Sequence, residues 1–224
     1  MIELNYVFDY IHNSIIKLPL LNIFMLIQYT NRKKMFIISK RKIIVLMQED
    51  IVEKKVFILI EDGFRDEEIV YPYYRFIEAG YEVMIVGPEA GKEYRGRFGL
   101  PLKSDITPEQ VNLDEVAVVI IPGGFAPDKL RLNNIMVSLV KKVFDDNKVI
   151  ASICHGGWML IEADICRGKD VTGFKAIATD LKNAGGNYID KEVVVDKNLV
   201  TSRIPDDLPA FCRSTLELIE AYNK

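Results

Sequence analysis

The stretch that decides the fold is VIASICHGG, residues 149–157. Its first five residues, all apolar or small, predict a strand buried on both faces, as in a parallel sheet that helices cover on each side. Cys154 follows this strand, and two glycines then allow a sharp entry into a helix predicted at 158–163. The layout is that of a nucleophile elbow with cysteine in place of the usual serine. Because open α/β sheets bind ligands at the carboxyl ends of their strands, Cys154 stands where a ligand is expected.

Similar apolar strands and amphipathic helices alternate through the chain from residue 55 onward. The predicted strands are 56–60, 83–86, 116–121 and 149–153, and the further predicted helices are 67–79, 135–144 and 208–222. This alternation implies right-handed crossovers and an α/β three-layer sandwich, in which a mostly parallel sheet has helices on both faces. Two short strands, 193–196 and 199–202, are predicted to form a hairpin appended to that sheet.

Residues 1–53 differ in composition from the rest of the 224-residue chain. They contain no glycine and no cysteine, and they carry seven basic against five acidic residues. Residues 54–224 hold all 14 glycines, all three cysteines, and 22 basic against 27 acidic residues. We therefore interpret 1–53 as an N-terminal extension outside the core fold, and 54–224 as one domain that carries the chemistry.

A membrane is not expected as a partner of this protein. The apolar run 18–27 is about half as long as a bilayer-spanning helix needs to be. A secretory signal would have its basic residues before the apolar run, whereas here they follow it. We therefore predict a cytoplasmic protein. The alternative is a membrane-surface anchor, because apolar and basic residues are interleaved at 38–43.

Composition also excludes other classes of function. The net charge of −3 provides no general basic field, so nucleic acid is not expected as a partner. Three cysteines without a CxxC pair cannot build a disulfide framework or a thiol-rich zinc site. The chain has two histidines, His12 and His155, so few residues could carry out histidine-dependent chemistry. We therefore predict no metal and no cofactor.

Cys154 is the candidate nucleophile among the three cysteines. A thiol at this place would lie at a helix N-terminus, whose partial positive charge favours the reactive thiolate. The opposing interpretation is a buried structural cysteine, the common fate of a lone thiol, and we adopt it for Cys166 and Cys212. The position of Cys154 at a strand end, directly before His155, favours a reactive thiol there.

Two other strand ends could complete a site around this thiol. The turn PGGF, residues 122–125, follows a predicted strand, so its backbone could supply one oxyanion donor and the N–H of His155 another. The first strand ends in EDGFRDEE, residues 61–68. One of these acids could lean toward the thiol, where burial would raise its pKa. The residues themselves leave Glu67 and Glu68 as alternatives.

Four blocks of sequence occur in a characteristic order. They are FRDEEIVYPY at 64–73, PGGFAPD at 122–128, ASICHG at 151–156 and TSRIPDDL at 201–208. Together they resemble the PfpI-type intracellular cysteine proteases, which belong to a superfamily that also holds deglycases and is related to the class I glutamine amidotransferases. The resemblance extends from about residue 55 to the C-terminus.

The resemblance implies a fold and a set of site residues. The fold would be a flavodoxin-like sandwich without a cofactor. Cys154 would be the nucleophile, and Glu68 would be the carboxyl group that touches its thiol. Gly123, Gly124 and His155 would form the oxyanion and substrate-binding site, with the amides of Gly124 and His155 as the oxyanion hole.

The resemblance also implies an oligomer, and this sequence departs from the family pattern at four positions. His155 would pair with Asp128 of a neighbouring subunit, so that the protein would be a homodimer or a hexamer. The family more commonly has Glu where Asp128 stands. It usually has Glu in place of Arg65, often Tyr in place of Phe174, and frequently Pro in place of Gly157. These departures concern the substrate more than the fold or the nucleophile.

These features together predict a cysteine-dependent hydrolase that is a peptidase or a deglycase, acting on a peptide or a glyoxal-type carbonyl compound. One alternative is a cofactor-free glyoxalase. Another is a redox-responsive stress protein or chaperone whose Cys154 is oxidised without turnover. A glutamine amidotransferase is excluded, because that class needs a histidine late in the chain and no histidine follows His155.

Overall fold

The computed structural model describes residues 54–222 and three short strands that precede them, Ile23–Leu26, Met35–Ser39 and Lys42–Leu46. These three strands pair in chain order as an antiparallel sheet. No helix within the described residues is both long and apolar enough to cross a bilayer.

The chain divides into two units, Met1–Ile51 and Val52–Lys224, and the site described below lies in the second. That residues 1–53 form an extension outside the core fold remains our proposal. The segments 18–27 and 38–43, which bear on a membrane-surface anchor, lie only partly within the described residues.

A six-stranded sheet forms the centre of the second unit. Its strands are β1 (Lys55–Leu59), β2 (Glu82–Val86), β3 (Val116–Ile121), β4 (Val149–Ile153), β5 (Val193–Asp196) and β6 (Leu199–Ser202). Their spatial order is β5-β6-β4-β3-β1-β2, and only β5 runs antiparallel to its neighbour. The predicted mostly parallel sheet with an appended hairpin is confirmed.

Helices pack on this sheet in two groups. They are α1 (Asp66–Glu78), α2 (Ala126–Leu130), α3 (Asn134–Asp145), α4 (Gly157–Glu162), α5 (Ala178–Asn183) and α6 (Leu208–Tyr222). Helix α1 packs against α6, whereas α4 packs against α2, α3 and α5, and both groups contact strands of the sheet. Every residue of β3, β4 and β6 is buried, which explains their nearly unbroken runs of apolar and small residues. The helices predicted from the sequence begin and end within one residue of the observed ones.

A small antiparallel hairpin between Glu93–Arg95 and Pro101–Lys103 was not predicted from the sequence. Its strands have three residues each, too few for a period of two to be visible. Contacts remote in the chain hold it instead. Tyr94 is fully buried, and its hydroxyl oxygen accepts a hydrogen bond from the Glu89 N–H at 3.1 Å.

The turn of this hairpin is fixed against the start of α1. The Asp66 carboxylate accepts hydrogen bonds from the N–H groups of Phe98 at 3.0 Å and Leu100 at 3.1 Å. A Cβ on Gly96 would lie 2.6 Å from that carboxylate, so the close approach requires glycine. The hairpin turn, residues 96–99, is thereby brought to the same edge of the sheet as the elbow at Cys154.

Candidate active site

The segments that follow three neighbouring strands meet at one edge of the sheet. Strand β1 lies between β2 and β3, so the order of the strands reverses direction at β1. Open α/β sheets bind ligands in the crevice at the point where the strand order reverses. Glu68 comes after β1, Gly123 after β3 and Cys154 after β4. A Cβ on Gly123 would lie 2.8 Å from the Glu68 carboxylate and 2.7 Å from the Cys154 Cβ. The structure therefore brings these three residues together.

Cys154 has a left-handed backbone conformation at the elbow. Its φ is +61°, in a region that costs a non-glycine residue about 1–3 kcal/mol. A tight turn, Cys154–Gly156, leads directly into α4. A Cβ on Gly156 would lie 2.5 Å from the carbonyl oxygen of Ile121, so glycine allows the elbow to lie against the end of β3. The predicted strand–turn–helix is present, and the residue Cys154 at its turn is 8% exposed.

Glu68 is the acid that faces this thiol. It is fully buried in the first turn of α1, and its Oε2 accepts a hydrogen bond from the Gly123 N–H at 2.6 Å. Its Oε1 is buried without a nitrogen or oxygen partner among the described residues, and the Cys154 thiol is the polar group beside the carboxyl. Glu67 instead forms an ion pair with Arg65 at 2.9 Å and is half exposed. The two alternatives left open by the residues are thus distinguished by burial.

Burial raises the pKa of both the Glu68 carboxyl and the Cys154 thiol. It raises the pKa of Glu68 to about 7, although the hydrogen bond from Gly123 opposes the shift. Burial, and next the negative charge of Glu68, raise the pKa of the Cys154 thiol to about 12, whereas the N–H groups of His155 and Gly124 lower it. The Glu68 charge acts only while the carboxyl is ionised. The two groups therefore titrate as a coupled pair, in which a protonated Glu68 can donate its O–H to a thiolate.

His155 stands beside the thiol with its ring held by aromatic side chains. Its Nδ1 lies 3.4 Å from the Cys154 Sγ. Its ring stacks on Phe174, with centroids 4.9 Å apart, and meets the edge of Trp158 at 5.2 Å. Burial, and next the charge of Arg97, lower the pKa of His155 from its ordinary 6.5. The imidazole is therefore neutral near pH 7 and able to accept a proton.

The glycine turn after β3 supplies backbone N–H groups to the site. The Gly123 N–H is already bound to Glu68, so this residue positions the carboxyl. The N–H groups of Gly124 and His155 lower the pKa of the Cys154 thiol, and the same two donors could stabilise a developing oxyanion. Gly124 has φ +74°, and a Cβ on it would lie 2.5 Å from the Arg65 amide nitrogen.

We predict that Gly124→Ala will destabilise the fold much more than Gly91→Ala. Both glycines have φ +74°, so alanine meets the same left-handed penalty of about 1–2 kcal/mol at either position. Only at Gly124 does the new Cβ collide with backbone, because nothing lies within 4 Å at Gly91. Urea denaturation should show a free energy of unfolding lower by at least about 2 kcal/mol more for Gly124→Ala. Equal losses in the two variants would contradict this tight packing.

Asp128 is not brought to His155 within one protomer. It lies on α2 and is exposed, and its carboxylate has no hydrogen bond or ion pair among residues 54–222. Within the same range, no carboxylate forms an ion pair with His155 either. The pairing of these two residues across a subunit interface remains a proposal.

The influence of Arg97 on the site, where its charge lowers the pKa of His155, was not predicted from the sequence. Its guanidinium lies over the ring of Phe125, 4.8 Å from the centroid, and 6.0 Å from the centroid of Phe98. The sequence does indicate a tight turn here, since Gly96 and Gly99 flank Arg97 and Phe98. This turn signal does not indicate which part of the fold the turn will face.

Comparison with known proteins gives matches within the second unit of the chain, Val52–Lys224. The sequence pattern of the DJ-1/PfpI family matches residues 54–218. The chain is 43% identical over 169 residues to "Putative cysteine protease YraA" of Bacillus subtilis, a match covering 75% of this chain and 100% of that protein. It is 43% identical over 166 residues to "Deglycase PH1704" of Pyrococcus horikoshii, covering 74% of this chain and 99% of that protein.

A solved structure from Anabaena variabilis is similar in both sequence and fold. It is a two-domain protein described as containing dj-1/thij/pfpi-like and ferritin-like domains. The identity is 43% and the TM-score 0.72, over 74% of this chain and 48% of that one. The present chain thus spans about half the length of that two-domain protein.

Proposed function

The chain belongs to the DJ-1/PfpI family, and we propose that Cys154 is the nucleophile through which it acts as a cysteine hydrolase of PfpI type. The observation that carries the proposal is the buried Glu68, held by the Gly123 N–H at 2.6 Å and facing the thiol. A carboxyl group with its pKa raised to about 7, beside a cysteine at a strand-to-helix elbow, is typical of an active site. A structural cysteine would need neither the strained elbow nor the buried acid.

The first step is attack on a carbonyl carbon. The thiol proton passes to Glu68, whose O–H then donates to the sulfur. The sulfur of Cys154 forms a bond to the carbonyl carbon, and the electron pair of the C=O bond moves to the oxygen. The N–H groups of Gly124 and His155 donate hydrogen bonds to this oxygen and stabilise its negative charge.

With a peptide or a glycated amine, the second half of the reaction needs proton transfer to the leaving amine and from water. With a free glyoxal no group leaves; a proton moves from the attacked carbon to the neighbouring carbonyl, and water hydrolyses the resulting thioester. We assign these transfers to His155, which is neutral near pH 7 and lies next to the sulfur. Stacking on Phe174 fixes the plane of the imidazole ring. Phe174 cannot donate a hydrogen bond as a tyrosine would, so substrate orientation rests on other groups.

The relatives indicate the class of substrate. Two of them are named a deglycase and a putative cysteine protease, so the substrate is proposed to be a glycated amine, a free glyoxal-type carbonyl or a peptide. All three contain a carbonyl carbon, or an adduct of one, that a thiolate can attack.

We further propose that the protein acts in the cytoplasm.

A side-by-side assay tests this proposal. Purified full-length protein is given methylglyoxal in one series and an unstructured peptide in the other, and substrate loss is followed in both. We expect catalytic loss of at least one substrate, with many turnovers per protomer. Absence of turnover on both, together with peroxide oxidation confined to Cys154, would instead favour the redox-responsive stress protein.

We predict that the site is completed between subunits, since family members are commonly oligomeric. Asp128→Ala should lower the turnover rate by about 10- to 100-fold, because His155 loses the carboxylate that orients it. Mixing Asp128→Ala subunits with Cys154→Ala subunits should restore activity. The first variant contributes an intact Cys154 and the second an intact Asp128, so a mixed dimer holds one complete site.

A second acid provides the control for the mixing experiment. Asp146→Ala removes an exposed carboxylate from the turn after α3 and should leave the turnover rate unchanged. Native mass spectrometry verifies that mixed oligomers form. If they form and no activity returns, or if the wild-type protein is an active monomer, Asp128 has no part in the mechanism.

A further inference from the structure

The single tryptophan of the chain stands beside the histidine of the site. Trp158 is the only tryptophan in the sequence, and it lies in the first turn of α4. Its ring centroid is 5.2 Å from that of the His155 imidazole, and the two ring planes meet at 67°. Aromatic rings prefer such an edge-to-face arrangement. The imidazole is thus contacted by two aromatic rings, Trp158 and the stacked Phe174.

The indole of Trp158 is itself held by groups from two other parts of the fold. Its Nε1–H donates a hydrogen bond to the carboxylate of Asp180, on α5, at 3.0 Å. The guanidinium of Arg131, directly after α2, lies 6.0 Å from the Trp158 ring centroid and is fixed by Glu162 at 2.9 Å. A hydrogen bond to an ionised carboxylate is stronger than one to a neutral acceptor. The indole is therefore fixed in its orientation beside His155.

The orientation of His155 matters for what this residue can do. Its Nδ1 lies 3.4 Å from the Cys154 Sγ, and a change of side-chain rotamer would move this nitrogen away from the sulfur. Among residues 54–222 no carboxylate forms an ion pair with the imidazole. Within one protomer, the two aromatic contacts are therefore what keeps the ring in place.

We infer that Asp180, acting through the indole of Trp158, is a positioning residue that keeps the His155 imidazole at the Cys154 sulfur. Asp180 is exposed, and it is not among the groups that shift the pKa of His155, whereas Arg97 is. Its effect passes by contact, from carboxylate to indole to imidazole, and not through its charge. This inference rests on the proposed function, in which His155 transfers the protons.

The fluorescence of Trp158 tests this chain of contacts without requiring turnover. All tryptophan emission of the full-length protein comes from this residue. A protonated imidazole quenches a neighbouring indole more strongly than a neutral one does. The emission should therefore fall as the pH decreases through the pKa of His155, which lies below its ordinary 6.5.

Two variants assign this fluorescence transition. His155→Gln should lose it, because no imidazole remains beside the indole. Asp180→Ala should show a smaller transition, because the released indole no longer stays against His155. A transition that persists in His155→Gln, or one with its full amplitude in Asp180→Ala, would overturn the inference.

Steady-state kinetics with methylglyoxal and with the peptide measure the consequence for turnover. Asp180→Ala should lower kcat about 3- to 10-fold with little change in KM, because it disturbs proton transfer and not substrate binding. Asp180→Asn keeps an oxygen that accepts the indole N–H, so it should restore most of the rate. Thr179→Ala truncates an exposed neighbour on the same helix and should match the wild type. Equal losses in Asp180→Asn and Asp180→Ala would contradict the positioning role.

A double-mutant cycle shows whether Asp180 acts through the indole. Trp158→Phe keeps an aromatic ring but removes the N–H that Asp180 binds. In this background, Asp180→Ala should have no further effect on kcat, because the contact it would break is already absent. Fully additive losses would overturn the inference.

Fluorescence and kinetics together separate this inference from the proposed function. If no substrate is consumed but Asp180→Ala weakens the transition that depends on His155, the proposed function fails and the positioning role stands. If substrate is consumed and Asp180→Ala changes neither the transition nor kcat, the positioning role fails and the function stands.

Discussion

Replacement of Cys154 with alanine is expected to abolish turnover, with a loss on the order of 10³-fold or more in kcat. The sulfur is the atom that bonds to the carbonyl carbon, and no other thiol in the described part of the chain lies at a strand end beside a histidine. Cys166 and Cys212 are both fully buried, and Glu68 is not among the groups that shift the pKa of either thiol. The measurement is the initial rate of methylglyoxal loss and of peptide cleavage.

Cys166→Ala is the matched control for this variant. It removes a buried thiol from the same domain, so it reports any general effect of losing a cysteine from the core. We expect its turnover rate to stay within about twofold of wild type, since core truncations act through stability rather than through chemistry. If Cys154→Ala retains wild-type rates on both substrates, the nucleophile has been assigned wrongly.

Glu68→Gln is expected to produce the second largest effect, a loss of about 10²- to 10⁴-fold in turnover. Glutamine has nearly the same shape, and its amide oxygen can still accept the Gly123 N–H that Glu68 Oε2 binds at 2.6 Å. It cannot take the thiol proton, so attack by the sulfur loses its base. Steady-state kinetics between pH 5 and pH 9 measure the effect. Wild-type rates in this variant would remove Glu68 from the mechanism.

The same variant has a distinct signature in the pH dependence of stability. The folded-state pKa of Glu68 is about 7, above its ordinary 4.5, so folding favours the protonated form. The resulting stabilisation is fully present below pH 4.5 and is lost as the pH rises toward 7. A shift of this size corresponds to on the order of 3 kcal/mol. Glu68→Gln, which does not titrate, should therefore gain stability relative to wild type over this interval.

Urea denaturation at pH 4.5 and pH 7.5 measures that difference. The control is Glu67→Gln, which changes a half-exposed neighbour that is paired with Arg65. Its free energy of unfolding should vary with pH in parallel with that of the wild type. Parallel curves for Glu68→Gln as well would show that the Glu68 carboxyl is not held in its protonated form by the fold.

Local pattern was sufficient to predict most of the fold. The strands β1 to β4 were visible as apolar runs because both of their faces are buried, and the main helices because their apolar residues recur on one side. The elbow at Cys154 was visible for the same reason, since a buried strand followed by small residues leaves little choice of turn. The hairpin at Glu93–Arg95 and Pro101–Lys103 was not visible, because its stability comes from the buried Tyr94 and from Asp66, not from its own strands.

The amino-acid sequence by itself therefore determined the layered α/β fold, the thiol at a strand end and the glycine turn beside it, because each depends on residues close together in the chain. The residues alone did not decide whether Glu67 or Glu68 faces the sulfur; the family resemblance implied Glu68, and the tertiary structure buries that residue beside the thiol. Consecutive residues on a helix point about 100° apart, and packing alone selects which of them is buried. The tertiary structure also decided that Arg97 lies over Phe125, since that contact joins the hairpin turn after β2 to the loop after β3, a pairing that no local pattern records.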